Sequence, residues 1–321
     1  MRPIRLLVLF LLLPFPAVAD WYYETAEKMG TLITVQFWAD DPAQAPVLTA
    51  LAMAEIDRIE NSMSTYIEGT EMWRVNAEAA VKPVVVSREL FDLIRKSLEL
   101  SEFTEGAFDI TYDSVGSKYD FHSNERPDDA AIDAALSKIN FKLVELDESE
   151  LSVRFLQEGV RINLGGIAKG YTVEKVIELM ANAGVAHASV TAGGDTRLLG
   201  DRRGKPWLIG IRHPDREQAV VTRLPLIDEA ISTSGDYERF FIEDGERYHH
   251  IINPGSGRPT KGIRSATVLG PDGTMTDGLS TSVFVSGVAA GIALIERLPG
   301  YETVVIEDTG KLHFSSGLQA Q

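Results

Sequence analysis

The chain has 321 residues, no cysteine, 44% hydrophobic residues and a formal charge of −16. The missing cysteine excludes disulfide bonds and thiolate chemistry. A strongly acidic protein repels nucleic acid and anionic lipid, so neither is expected as a partner. An anionic ligand would need helix N-termini, lysines or a metal to offset this field. The apolar content is enough for a sizeable core, in one large domain or in two intimate ones.

The first 19 residues have the features of a secretory signal peptide. Arg2 and Arg5 precede an apolar run over Leu6–Phe15, and Ala-Val-Ala, ending at Ala19, is a cleavage site of the A-x-A type. The run is about half of the ~20 residues that span a bilayer, which argues against a membrane anchor. The arginines are not adjacent, so the twin-arginine route is not indicated, and without cysteine the protein is not a lipoprotein. We predict cleavage after Ala19 and a periplasmic protein of formal charge −18, since two arginines are removed, without membrane insertion.

Three helices are predicted in the first half of the mature chain. The first begins at Asp41-Pro42, because aspartate is a common cap and proline a common first helical residue. Its apolar residues recur at helical spacing: Leu48, Ala52, Ile56, Ile59 and Met63. A second helix is capped by Ser87, and its inward residues are predicted to be Leu90, Leu93, Ile94 and Leu98. A short third helix is expected over residues 128–139.

Hairpins, two helices and short strands are predicted in the rest of the chain. Lys142–Leu146 and Leu151–Phe155 alternate around an acidic turn and predict a hairpin. Gly184 is the expected stop of a helix over 168–183. The remaining predicted elements are strands at 188–191, 207–212, 220–224, 239–243 and 247–252, a helix over 276–297 and a hairpin of 303–307 and 311–314. Helices and strands interleave without a βαβ rhythm, which favours an α+β fold over a doubly wound sheet.

A strand, a glycine turn and a helix start are predicted in the segment from Asn163 to Tyr171. Gly165 and Gly166 would let backbone amides approach a phosphate, and the helix N-terminus favours negative charge. Lys169 adds a cation. An ordinary tight turn between a strand and a helix explains the same residues, because an isolated glycine motif has little specificity.

The start of the last predicted helix carries a carboxylate and a hydroxyl. Asp277 and Thr281 are four residues apart, which places them on one face, one turn from each other. A hard cation such as Mg²⁺ binds oxygen ligands and fills its octahedron with waters, backbone carbonyls and phosphates. The alternative is that Asp277 caps the helix and Thr281 only packs.

Two adjacent histidines, His249 and His250, end a predicted strand and lead into a loop of turn-forming residues, Asn253–Pro259. A histidine at this position could act as a general base. A structural histidine with its hydrogen bonds satisfied explains the same residues. If the strand is regular, the two side chains point to opposite faces.

These motifs, taken in their order along the chain, resemble those of one enzyme family. The set is Met29-Gly30-Thr31, Met63-Ser64-Thr65-Tyr66 with Glu71 and Asn76, Gly106–Thr111, the glycine segment, Ala192-Gly193-Gly194-Asp195, Thr233–Tyr237, His250–Pro254 and Asp277–Thr281. From about Met29 to Phe314 the chain resembles the FAD:protein FMN transferases, the ApbE-like proteins. Eight motifs in the same order are far more specific than any one of them.

The resemblance implies an ApbE-like fold with mixed sheets and packed helices, in which two intimate lobes of one domain (residues 20–321) surround a cleft for FAD. The implied FAD contacts are Met29, Tyr66, Ala107, Phe108, Asp109, Asn163, Lys169 and Ile251. The resemblance also implies that Mg²⁺ is held by the carbonyl of Gly166 and by the side chains of Asp277 and Thr281. His250 and Asp277 are the implied catalytic residues.

The reaction implied by the resemblance moves FMN from FAD to a Ser or Thr hydroxyl of a target redox protein, through a phosphoester bond, and releases AMP. Because the pyrophosphate is already activated, the protein would mainly neutralise charge and align the acceptor. Two alternatives use the same residues. One is an exported FAD pyrophosphatase with water as acceptor, and the other is a non-catalytic FAD-binding assembly factor.

Three departures from the family pattern concern the acceptor more than the metal. Asn253-Pro254-Gly255 replaces the usual Asp-Pro-Arg/Lys, and a Gly-Phe-Gly motif is missing near Lys118–Phe121. Gly278 and Ser280 replace two alanines of the late motif, but both proposed oxygen ligands remain. The same motifs are compatible with a specialised member of the family, such as an accessory protein of nitrous oxide reduction.

Overall fold

The computed structural model describes residues 19–319, so all of the predicted signal peptide except Ala19 lies outside the described residues. Within this range the α-helices α1 to α8 are Ala45–Met63, Glu71–Glu78, Arg88–Phe103, Asp113–Gly116, Asp129–Leu136, Ala168–Asn182, Gly273–Ser286 and Val288–Ile295. Short 3-10 turns occur at Pro42–Gln44, Ile110–Tyr112, Phe141–Leu143 and Ser316–Leu318. None of the helices formed by residues 19–319 is long and apolar enough to cross a bilayer.

The strands fall into one large sheet and several small ones. In chain order β1 to β9 are Asp20–Lys28, Thr31–Ala39, Val84–Val85, Val144–Asp147, Ser152–Phe155, Ala188–Ala192, Asp195–Leu199, Trp207–His213 and Arg216–Leu226. The strands β10 to β17 are Ala230–Gly235, Phe240–Glu243, Glu246–His249, Ile252–Asn253, Arg258–Pro259, Ile263–Gly270, Glu302–Glu307 and Leu312–Phe314. The large sheet has the order β1-β2-β6-β7-β10-β15-β16-β17, and all its pairings are antiparallel.

The helices divide between the large sheet and a smaller, three-stranded sheet of order β3-β5-β4. Helices α1 and α6 pack on β2 and β6 through a core that includes Phe37, Ile56 and Val176. A second core joins α2, α3 and the three-stranded sheet to α7 and β15. Because this core extends from the three-stranded sheet to the large sheet, the two sheets and their helices pack together. The predicted α+β class is confirmed.

Several predicted elements are found with their expected burial. Asp41 caps the turn that leads into α1, Ser87 caps α3, and Asp128 caps the short α5. The five predicted inward residues of α1 are all buried. Both predicted hairpins form, as β4–β5 and β16–β17.

Two elements that were predicted to be continuous are each interrupted in the structure. The helix predicted over 276–297 is two helices, α7 and α8, because Gly287 adopts a positive φ of 84° that a continuing helix does not allow. The strand predicted over 247–252 ends at His249, and a separate short strand begins at Ile252. The first break ends the site-bearing helix, and the second places His250 in an irregular segment.

The N-terminal ends of α6 and α7 make a close approach at Gly170. A Cβ atom at this position would lie 2.1 Å from the carbonyl oxygen of Gly273 and 2.6 Å from Cβ of Asp277. Neither atom can move without separating the helices. The glycine therefore allows the two helix starts to share one site.

Gly170→Ala should lower the free energy of unfolding by an amount at the upper end of the ~1–3 kcal/mol typical of overpacking. Urea denaturation of the variant and of the parent protein measures the effect. Gly255→Ala is the matched control, because the nearest atom to its Cβ would be the side-chain oxygen of Asn253 at 3.2 Å. Equal midpoints for Gly170→Ala and the parent would contradict this account of the helix contact.

Candidate functional site

The glycine segment and the last helix pair meet in a buried cluster of charges. Lys169, in the first turn of α6, forms an ion pair with Asp195 and lies 3.6 Å from Oδ1 of Asp277. The amide of Gly170 donates to Oδ2 of Asp277 at 2.9 Å. The carboxylate of Asp277 therefore binds the N-terminus of α6. It does not cap its own helix, because that cap is Asp272, which accepts from the amide of Met275.

The cluster carries more negative than positive charge. Asp195 and Asp277 are almost fully buried, and Lys169 is the cation that contacts both. Burial, together with the charge of Asp195, raises the pKa of Asp277 to about 7. Burial alone lowers the pKa of Lys169, but the two carboxylates outweigh it and raise that pKa above its usual value. Oδ1 of Asp195 is buried without a hydrogen-bond partner among residues 19–319. A bound cation would offset this imbalance.

Two of the residues predicted to hold Mg²⁺, Gly166 and Thr281, lie against each other, and Asp277 is one turn before Thr281 on α7. A Cβ atom on Gly166 would be 3.4 Å from Oγ1 of Thr281, so the glycine lets the turn approach this hydroxyl. Oγ1 of Thr281 is 3.1 Å from Oγ of Ser234. No three His, Cys, Asp or Glu side chains of residues 19–319 are grouped as metal ligands. A cation here would instead use carboxylate, hydroxyl and carbonyl oxygens, which are ligands that Mg²⁺ accepts. The residues present fit a hard divalent cation.

The side chain of Asn163 stabilises the turn formed by Gly165 and Gly166. Its Oδ1 accepts from the amide of Gly165 at 2.8 Å, and its Nδ2 donates to Asp113 and Thr65. In this structure the amide of Gly165 is therefore bonded within the protein, and the approach of the backbone amides of this turn to a phosphate stays a prediction. Asn163 links the turn to the loop that carries Tyr66.

The two histidines occupy different environments. His249 is buried, its Nε2 lies 2.7 Å from the carbonyl oxygen of Thr260, and its ring packs edge-on against Phe284. His250 is only partly buried, and its Nδ1 lies 3.3 Å from the carbonyl oxygen of Arg239. Burial, with the nearby charges of His249 and Arg239, lowers the pKa of His250 to about 3. This pKa lies well below the near-neutral value of an ordinary histidine.

The tautomer of His250 follows from this contact. A carbonyl oxygen only accepts hydrogen bonds, so the neutral ring carries its proton on Nδ1. Its Nε2 is then the nitrogen with a lone pair for a further proton. This is the form that a general base requires.

Met29 and Tyr66 lie on two different loops at the site. Met29 and Gly30 form the turn between β1 and β2 and both have positive φ, 54° and 67°. The sulfur of Met29 accepts from Oγ1 of Thr172 in α6 at 3.3 Å. Tyr66 follows α1 and is 84% exposed, which leaves its ring free to contact a ligand.

The other predicted FAD contacts are largely occupied by the protein itself. Both carboxylate oxygens of Asp109 accept hydrogen bonds, from Thr111 and from the amide of Phe141. Phe108 is buried beside Gly166, and Ala107 is partly buried. The amide of Ile251 donates to the ring of His249, and its carbonyl accepts from Thr260. Asp109 thus has a structural role here, while its contact with FAD stays a prediction.

The loop that departs from the family pattern keeps its turn. Oδ1 of Asn253 accepts from the amide of Gly255 at 2.9 Å, as a carboxylate oxygen would. The carbonyl of the same asparagine accepts from Ser256 and Gly257. Asparagine at this position therefore makes the hydrogen bond that an aspartate oxygen would make, without the charge.

Asp195 was not among the predicted site residues, although it is central to the cluster. The signal available in the sequence was its position after Gly193-Gly194, in a tight turn that joins β6 to β7. Its partner Lys169 is 26 residues earlier in the chain. Only the pairing of these elements in space shows that they meet.

The site combines a glycine turn at the start of α6 with two buried carboxylates near Thr281, on a fold built around one antiparallel sheet. The chain belongs to the ApbE family, whose family model matches residues 29–305.

Similar proteins agree on both activity class and fold. Relatives named FAD:protein FMN transferase occur in Vibrio cholerae, 31% identical over 94% of this chain and 92% of the relative, and in Klebsiella pneumoniae, 31% identical over 92% of each. The crystal structure of the ApbE protein from Thermotoga maritima has a TM-score of 0.86 at 29% identity, covering 93% of this chain and 98% of that one. The flavin transferase ApbE from Vibrio cholerae has a TM-score of 0.82 at 30% identity, with the same coverage. The family and the transferase class predicted from the sequence are confirmed.

Proposed function

We propose that this protein transfers FMN from FAD to a Ser or Thr hydroxyl of a target redox protein, with Mg²⁺, and releases AMP. The observation that carries the proposal is the buried cluster of Lys169, Asp195 and Asp277 at the start of α6, beside Thr281 and Gly166. Such a site suits a pyrophosphate that is bound together with a divalent cation. The relatives named as FMN transferases support the same reaction.

In this reaction the acceptor oxygen forms a bond to the phosphorus on the FMN side of FAD. The bond from that phosphorus to the bridging oxygen breaks, and AMP leaves with the electron pair. His250 takes the proton of the acceptor hydroxyl on Nε2, because Nδ1 is held by the carbonyl of Arg239. Asp277, Thr281 and Gly166 would hold Mg²⁺, which supplies charge neutralisation to the phosphates.

Incubation with FAD, Mg²⁺ and a candidate redox protein tests the proposal by mass measurement. Flavin bound to a Ser or Thr of the target is the expected result. Free FMN and AMP without labelled target would instead show a pyrophosphatase. Unchanged FAD bound to the protein would show an assembly factor. The candidate acceptors to be tested are periplasmic redox proteins of the same organism.

The protein should bind FAD without covalent attachment at about one copy per chain. Titration followed by flavin fluorescence measures this stoichiometry in the presence of Mg²⁺. A folded sample that gives no change on addition of FAD would remove the transferase and both alternatives together.

We also propose that the mature protein is exported to the periplasm after cleavage behind Ala19. The support is the basic, apolar and A-x-A order of residues 1–19. The mass of the protein recovered from a periplasmic extract would show an N-terminus at Asp20.

A further inference from the structure

Arg239 connects two sides of the site. It lies directly before β11 and is exposed, and its Nη2 donates to the carbonyl oxygen of Gly30 at 2.9 Å. Gly30 belongs to the β1–β2 turn that also carries Met29. The main-chain carbonyl of Arg239 accepts from the amide of His250 at 3.1 Å. One residue thus holds His250 with its backbone and reaches the Met29 turn with its side chain.

The guanidinium of Arg239 contacts a carbonyl oxygen, whereas the other cations of this region contact carboxylates. Lys169 is engaged by Asp195 and Asp277, and Arg264 is engaged by Asp236. Among residues 19–216 and 219–319, Arg239 has a carbonyl oxygen and no carboxylate within ion-pair distance. The contact with Gly30 uses one of its five N–H donors, so the others remain for a ligand.

The site needs such a cation if it is to bind a pyrophosphate. Its two buried carboxylates are matched by a single lysine, and the chain as a whole has a formal charge of −16. The side chain of Arg239 lies on the same side of the molecule as the cluster, because its partner Gly30 follows Met29, whose sulfur contacts Thr172 in α6, three residues after Lys169. A planar guanidinium also matches two phosphate oxygens at once.

We propose that Arg239 is a substrate-binding residue that contacts a phosphate of FAD, in place of or in addition to the carbonyl of Gly30. This inference rests on the proposed function and adds a residue to its phosphate site. Arg239 contributes binding and orientation of the pyrophosphate beside His250. It takes no part in proton transfer.

Arg239→Met tests the inference, with FAD and riboflavin as probes in the presence of Mg²⁺. Riboflavin has the same ring system and no phosphate. We expect FAD binding to weaken about ten- to hundredfold, as for loss of a charge-assisted hydrogen bond, and riboflavin binding to change less than about twofold. The dependence of the FAD dissociation constant on salt should also become shallower in the variant.

Arg88→Met is the matched control, because Arg88 is similarly exposed and pairs with Glu148 away from the cluster. It removes the same charge from the chain, so it should leave both dissociation constants and the salt dependence unchanged. An equal loss for FAD and riboflavin in Arg239→Met would overturn the inference, since the arginine would then only hold the Met29 turn. Unchanged FAD binding and salt dependence would overturn it as well. Failure of the parent protein to bind FAD is a separate result, which would refute the proposed function and this inference with it.

Discussion

Replacing Asp277 by asparagine should abolish flavin transfer at ordinary Mg²⁺ concentrations. Asp277 carries the carboxylate that lies on α7 one turn before Thr281, so its charge is the main attraction for a cation at this position. The amide keeps the size of the side chain and an oxygen for the hydrogen bond from Gly170. The fold should therefore survive, while the affinity for Mg²⁺ is lost.

Two measurements separate the loss of metal from a loss of structure. Transfer is assayed over a wide range of Mg²⁺ concentration, and the shift in Tm caused by Mg²⁺ is recorded without substrate. The parent should be stabilised by Mg²⁺ and the variant should not. Asp272→Asn is the control, because Asp272 caps the same helix and pairs with Lys96 outside the cluster. It should lower stability by less than about 1 kcal/mol, because asparagine also caps a helix and only the partly exposed pair with Lys96 is lost, and it should keep the response to Mg²⁺. Near-normal transfer by Asp277→Asn at low Mg²⁺ would place the cation elsewhere.

Elements with a strong local signal could be predicted from the sequence. Helix α1 follows a turn that Asp41 caps and buries the five apolar residues of the predicted spacing, and the β16–β17 hairpin turns at a glycine with positive φ. These features depend on residues that are close to each other in the sequence. The order of the motifs supplied the family, which no single motif could.

The central strands of the site could not be predicted in the same way. Strand β15 is buried over almost its whole length, so the alternation of apolar and polar residues that marks a strand is absent. Strand β10 is rich in small polar residues, a composition that is typical of loops. In the structure these hydroxyls pair with α7, for example Ser232 with Thr276 and Ser234 with Ser280. The same strand brings Ser234 to Thr281. This side of the site is formed by tertiary contacts between β10 and α7, which local sequence patterns do not show.

The proposed role of His250 as a general base depends on the protonation state of its ring. With a pKa lowered to about 3 in the free protein, the ring stays neutral throughout the range from pH 8 to pH 5. A decline of kcat/KM in that range reports the free enzyme and would therefore come from another group. A neutral ring with Nδ1 held by a carbonyl can accept a proton on Nε2, and the phosphates of bound FAD would raise its basicity again.

His250→Ala should reduce transfer at least ~100-fold, because a positioned base contributes typically ~10²–10⁴ in rate, while the dissociation constant for FAD changes little. Rate and affinity are measured on the same sample, by mass analysis of the target and by flavin fluorescence. His249→Ala should keep most of the activity of its folded fraction but lower the free energy of unfolding, because His249 is buried and bonded to Thr260. Loss of FAD binding in His250→Ala would make the residue a binding group and not a base. Normal binding with normal transfer would assign the base to another residue. Asp236, whose carboxylate pairs with Arg264 and with the more distant Arg247, would be the next to test.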